Sequence, residues 1–164
     1  MNRFAARLGD PVAHLLTPVL TGAPCSLDVL IGNQPAWLGA DPAQIAALMK
    51  TVEQAKIAIV KAEKATEAAT GTTAEGAAKA NEEKTKIEQT KNVVDAISNL
   101  AASGISIHAC AALLPTPAAG TVTSGSLTVK INGLPACRSG DVLFEGLHAA
   151  NAITSGCPTV LIGG

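Results

Sequence analysis

The chain has 164 residues, enough for one domain or one domain with a sizeable insertion, and its net charge of -1 gives no global field to attract nucleic acid or an anionic membrane. Only 2% of the residues are aromatic, which excludes base-stacking platforms and leaves any core to Val, Ile, Leu and Ala. No apolar run approaches the roughly 20 residues of a membrane span.

Met1–Asp10 lacks the apolar core of a secretory signal, so the expectation is synthesis in the cytoplasm and, if the protein leaves the cell, carriage by a dedicated machine or particle. In that setting the four cysteines (Cys25, Cys110, Cys137 and Cys157) read as free thiols or metal ligands rather than two disulfides.

Taken in chain order, residues 1–41 open with Ala6-Arg7-Leu8-Gly9-Asp10 and continue through Ser26-Leu27-Asp28-Val29-Leu30-Ile31-Gly32-Asn33-Gln34-Pro35-Ala36 to Asp41. Short β-branched runs around Gly-Asn predict a tight hairpin.

Residues 42–103 differ in composition. They hold 8 of the 12 Lys/Arg and 8 of the 13 Asp/Glu, with much Ala. Ile45, Leu48, Val52, Ala55, Ile59, Ala62, Thr66 and Ala69 recur at alternating steps of three and four, the seam of a helix against a partner helix. Asp41-Pro42 supplies an N-cap followed by Pro at the first helical position. Gly71-Thr72-Thr73 breaks the pattern, a second helix follows with Ile87, Val94, Ile97 and Leu100 inward, and Gly104 is its C-terminal stop. A short break between helices of similar length predicts an antiparallel hairpin. Its own two helices are expected to satisfy the seam, leaving 42–103 dispensable for folding of the rest.

The closing flank repeats the opening one. Ser126-Leu127-Thr128-Val129-Lys130-Ile131-Asn132-Gly133-Leu134-Pro135-Ala136 aligns with Ser26–Ala36 without a gap, and Asp141 matches Asp41. A third copy is Gly156-Cys157-Pro158-Thr159-Val160-Leu161-Ile162-Gly163-Gly164, and Ala6–Asp10 resembles Ala136–Asp141. Three such hairpins cannot each bury a face alone, so packing about a pseudo-threefold axis is expected. The fold class is therefore mainly β with an inserted α-helical hairpin: a pseudo-threefold β-hairpin cone formed by 1–41 and 104–164, bearing the antiparallel helix pair 42–103.

The unit Gly-Ser-x-x-Val-x-Ile-Asn-Gly-x-Pro-Ala-x-Arg-x-Gly-Asp, fullest over Ser126–Asp141 with Cys137 inside the motif, resembles the PAAR-repeat family. The opening Ala5–Asp10 followed by His14, and the closing Gly156–Gly163, are similar to that family's start and end. The resemblance covers residues 3–41 and 105–164. It implies a metal-bound cone that caps the trimeric VgrG-like spike of a type VI secretion system or a phage-tail-like relative, one copy per trimer, with transient contact to a target membrane. The inserted hairpin departs from the family pattern, and no toxin-like domain is expected after Gly164.

Relatives use His and Cys for a structural zinc, which takes about four N or S ligands. Here the expected set is His14, His108, His148 and Cys110, with His108-x-Cys110 on one face of an extended segment. Cys25 and Cys157 read as small buried hydrophobes and Cys137 as an Ala-like position. Where relatives carry a Cys shortly after the last Gly-Asp, this chain has Glu145 and then His148. No catalytic residue is assigned: Asp10, Asp41 and Asp141 close turns, and Ser26 and Ser126 have no paired His. The leading function is a non-enzymatic spike tip. One alternative is an adaptor that recruits an effector or chaperone through 42–103. Another is a zinc hydrolase with three protein ligands and Glu145 as its acid–base group.

Overall fold

The computed structural model describes residues 1–13, 18–110, 118–147 and 150–164, with Cys110 and Ala118 described by backbone alone. In chain order it has β1 (Arg3–Ala5), β2 (Leu30–Ile31), β3 (Gln34–Pro35), α1 (Pro42–Ala69), α2 (Glu75–Asn99), a 3-10 turn (Leu100–Ser103), β4 (Ile107–Cys110), β5 (Ala118–Val122), β6 (Lys130–Ile131), β7 (Leu134–Pro135), β8 (Val142–Phe144), β9 (Asn151–Ala152) and β10 (Cys157–Ile162). The two helices pack together, and the strands form several small antiparallel sheets.

The hairpins β2–β3 and β6–β7 turn through Gly32-Asn33 and Asn132-Gly133, and all four residues have positive φ (57°, 65°, 55° and 81°). That is the type I′ requirement, met by the same two residue types in opposite order. The third copy is assembled from the chain ends: β10 pairs with β1, Arg3 opposite Ile162 and Phe4 opposite Leu161.

The three copies close on one another. Arg7 bridges Ala36, Leu38 bridges Ala136, and Arg138 bridges Ala5. Just beside these, the N–H of Trp37 donates to the carbonyl of Ala6 (3.1 Å), that of Cys137 to Trp37 (3.1 Å), and that of Ala6 to Cys137 (2.8 Å). This is a closed cycle of three equivalent bonds, and Ala5, Ala36, Ala136, Ala6, Trp37 and Cys137 are all buried around it.

After the cycle the second and third copies each continue into a two-stranded arm, and the first into a single bridge from Pro11 to Val19. The second and third arms are β4–β5 and β8–β9, and β5 pairs with β8, giving a sheet in the order β4-β5-β8-β9. Residues 11–13 and 18–21 contact its two edges: Val12 bridges Ile153, Pro11 bridges Val19, and the Thr21 carbonyl accepts the Ala109 N–H at 2.7 Å.

The repeated Asp closes two of the turns. Asp10 accepts the Arg7 N–H (2.7 Å) and pairs with its guanidinium (2.8 Å), and Asp141 does the same for Arg138 (2.8 and 3.1 Å). The second copy has Leu38 at the arginine position, so its Asp serves another purpose. Asp41 accepts from Ala43 and Gln44 N–H (2.8 and 3.0 Å), and Gln44 Oε1 accepts the Asp41 N–H (3.0 Å), a capping box that starts α1 where Pro42 permits it. Gly104 ends the helical segment in the left-handed conformation.

Within the hairpin the α1 seam holds, with Leu48, Val52, Ala55 and Ala62 buried. On α2 the expected inward residues Ile97, Val94 and Leu100 are buried or packed against the core, and Val93 joins them, but Ile87 is 49% exposed. At that level the helices are joined by the half-exposed pair Lys86–Glu63 (2.8 Å) instead, so the apolar seam of α2 ends short of Ile87.

The base of the hairpin is not separate from the β part. Leu48, Val52, Ala55, Val93 and Ile97 share one buried cluster with Leu38, Ile105, Ile107, Ala119 and Leu134. The expectation of a seam satisfied within the hairpin therefore fits its distal half, while its first turns complete the core of the β part.

Candidate metal centre

Of the four residues expected to hold a metal, the structure places one in full. His108, in the middle of β4, is fully buried. Cys110 ends the same strand, in register with Ala118. His14 and His148 lie outside the described residues. Their described neighbours are anchored near the four-stranded sheet: the Ala13 N–H donates to the Ala152 carbonyl on β9 at 2.9 Å, and Leu147 packs on the cluster containing Ile107 and Ala119.

The structure brings Glu145 to His108. Glu145 follows β8, is 4% exposed, and its Oε1 lies 3.7 Å from His108 Nε2. Its other oxygen, Oε2, accepts a hydrogen bond from Asn151 Nδ2 on β9. The backbone makes room for this side chain. Gly120 stands opposite His108 in the β4–β5 ladder, and a Cβ there would come within 2.9 Å of Glu145 Cγ and 3.3 Å of Leu143 Cδ1. Sequence reasoning weighed Glu145 only as a proton-transfer group of a hydrolase.

Does this pair suit a metal? Tetrahedral zinc with N and O bonds of about 2.0 Å sets neighbouring donors about 3.3 Å apart, close to the observed 3.7 Å, which is long for a direct hydrogen bond. One imidazole nitrogen and one carboxylate oxygen are both acceptable donors. The Thr21 N–H donates to His108 Nδ1 at 3.3 Å, which puts the ring proton on Nε2. Metal at Nε2 would move that proton to Nδ1 and set it against the Thr21 N–H, so binding there requires Thr21 to shift. With that shift the pair fits. Among the described residues no three of His, Cys, Asp and Glu converge on one point, so a metal here would need further ligands from outside them.

The other cysteines are poor candidates. Cys137 and Cys157 are buried, Cys25 is only partly so, and all three are free thiols. Burial pushes the Cys137 thiol well above its usual range, so it stays protonated and fills space against Trp37.

Compared with known protein families, residues 114–164 match the model of the PAAR motif. That match supports a PAAR repeat over this C-terminal stretch. No curated protein and no solved structure matches it. The PAAR match runs from the segment before β5 to the C-terminus, and so takes in Gly120, the Pro135-Ala136-Cys137-Arg138 motif, Asp141 and Glu145. The PAAR arginine is built in at this point. Arg138 is buried, pairs with Asp141, and donates to the carbonyls of Ser124 (3.2 Å), Gly163 (3.0 Å) and Gly164, pinning the C-terminal strand to the cycle.

Proposed function

We propose that this PAAR protein is a non-enzymatic, metal-stabilised spike tip: a pseudo-threefold cone that sits as one copy on the trimeric spike of a contractile injection system. The PAAR motif points to a spike tip of a secretion system. The observation that carries the reading is the closed cycle of bonds through Ala6, Trp37 and Cys137, which gives a single chain a threefold frame.

The outer surface follows the same frame. Leu27 (97% exposed), Leu127 (74% exposed) and the exposed Pro158 occupy matching places in the three copies, as do the exposed Leu30, Lys130 and Leu161. Apolar side chains at equivalent points of a threefold surface suit a threefold partner.

A zinc held by His14, His108, Cys110 and a donor from the third arm, His148 on the sequence reading, would tie the arms together in a protein with few aromatic residues. When bound, such an ion supplies no reaction, only cross-linking. The test is co-purification with a trimeric VgrG-like spike protein. The parent should be retained and the double variant Leu27→Asp/Leu127→Asp lost with its melting temperature intact. Retention of that variant at parental level would refute the docking face.

A further inference from the structure

We propose that the outer face of α1, around Ile57 and Val60, docks an acidic amphipathic helix of another protein. This role goes beyond the tip function and does not depend on it.

The first observation is that two β-branched residues face away from everything the hairpin packs. Ala55 and Ala62 belong to the buried seam of α1. Ile57 and Val60 each stand two residues from one of them, a rotation of about 200° at 3.6 residues per turn. They are accordingly 59% and 46% exposed and join none of the buried clusters. A branched side chain at a solvent-facing helix position costs helix propensity relative to Ala, Lys or Glu, and here it gains no packing within the chain.

The second observation is charge. Ile57 and Val60 line a shallow hollow of about 480 Å³ with Glu53, Lys56, Lys61 and Lys64, all of them exposed. On α2, Lys79 pairs with Glu75, Lys86 with Glu63 and Glu82, and Lys91 with Asp95. Among the described residues no ion pair involves Lys56, Lys61 or Lys64. Two aliphatic side chains bordered by three unpaired cations and one carboxylate complement a helix whose apolar stripe is flanked by Glu or Asp. From Glu53 to Lys64 the face runs about 17 Å, roughly three turns, the span of a short docking helix.

Other occupants fit less well. A second copy would set three lysines and one glutamate against the same set, a net repulsion. A helix that lies in a membrane surface carries Trp, Phe or Leu on its apolar face, whereas this face has none of them and keeps Glu53 within it.

The experiment titrates the full-length protein into a fluorescently labelled helical peptide and reads anisotropy. The peptide has about three heptads, with Leu and Ile in its apolar stripe and Glu on both flanks, which keeps it from pairing with itself. A second peptide carries Lys in place of every Glu. The parent should bind the acidic peptide saturably and the basic one at least about tenfold more weakly. Ile57→Ser/Val60→Ser should weaken binding of the acidic peptide about tenfold or more. Lys56→Glu/Lys61→Glu/Lys64→Glu should reverse the preference, and Ile87→Ser, exposed on α2, should leave it unchanged. Circular dichroism at 222 nm should stay parental in the serine variants, since each altered side chain is exposed. A parent that does not bind the acidic peptide, parental binding by Ile57→Ser/Val60→Ser, an unreversed preference, or an equal loss in Ile87→Ser overturns the proposal. So does a dimer of the parent, seen by light scattering, that Ile57→Ser/Val60→Ser dissociates, which gives the face to a second copy. Binding of the parent to phosphatidylglycerol vesicles that the same variant loses overturns it in favour of a lipid surface. Leu27 and Leu127 are unchanged in all these variants, so the tip reading stands or falls on its own test.

Discussion

Replacing Ile97 by Ala tests whether the base of the hairpin and the β part share one core. Ile97 is fully buried in the cluster that joins Leu48 and Val52 of α1 to Leu38, Ile105 and Leu134 of the β part. The change removes three carbons, about 2.4 kcal/mol of transfer free energy at 0.8 per buried methylene. With the residual cavity the loss should reach about 3 to 4 kcal/mol. For a chain of this size that corresponds to a fall in melting temperature of roughly 6 to 16 °C. The assay has two independent probes. Circular dichroism at 222 nm follows the helices, and fluorescence follows Trp37, the one tryptophan, fully buried in the neighbouring cluster. Both transitions should coincide in the parent and move together in Ile97→Ala, whereas Ile87→Ala, at an exposed site, should move neither by more than a degree or two. A Trp37 transition left in place while the helical signal melts early would refute a shared core.

The same division predicts the outcome of trimming. Replacing residues 57–89 by a short Gly-Ser loop should leave a folded protein with blue-shifted Trp37 emission, while replacing all of 42–103 strips the cover from Leu38, Ile105, Ala119 and Leu134 and should yield an aggregating or low-melting product. Asp141→Ala should cost about 3 to 5 kcal/mol in urea unfolding, because it leaves the buried Arg138 without its carboxylate and removes the 2.6 Å partner of Arg3. Cys137 should resist iodoacetamide in the native protein and react on denaturation, as mass mapping of the labelled peptide can show.

Much of this fold was legible because the relevant chemistry is local. Asn-Gly and Gly-Asn announce turns that need positive φ, Asp41-Pro42 announces a helix start, and a gapless repeat announces equivalent hairpins. What was not legible depended on which side faces which. The apolar pattern placed Ile87 inward, but α2 packs on the core only through Val93, Val94, Ile97 and Leu100, near its C-terminal end. The sharing of a core across residue 42 is likewise invisible until Leu38 and Leu48 are seen together. Glu145 lies beside His108, 3.7 Å from its Nε2, a proximity across β4 and β8 that no sequence pattern announces.

The most direct test of the proposed function is native mass spectrometry of the chain mixed with a trimeric VgrG-like spike protein. A pseudo-threefold tip held by one ion predicts a single complex of three spike chains, one copy of this chain and one zinc. Equal numbers of the two chains, or a complex that carries no metal, would contradict it.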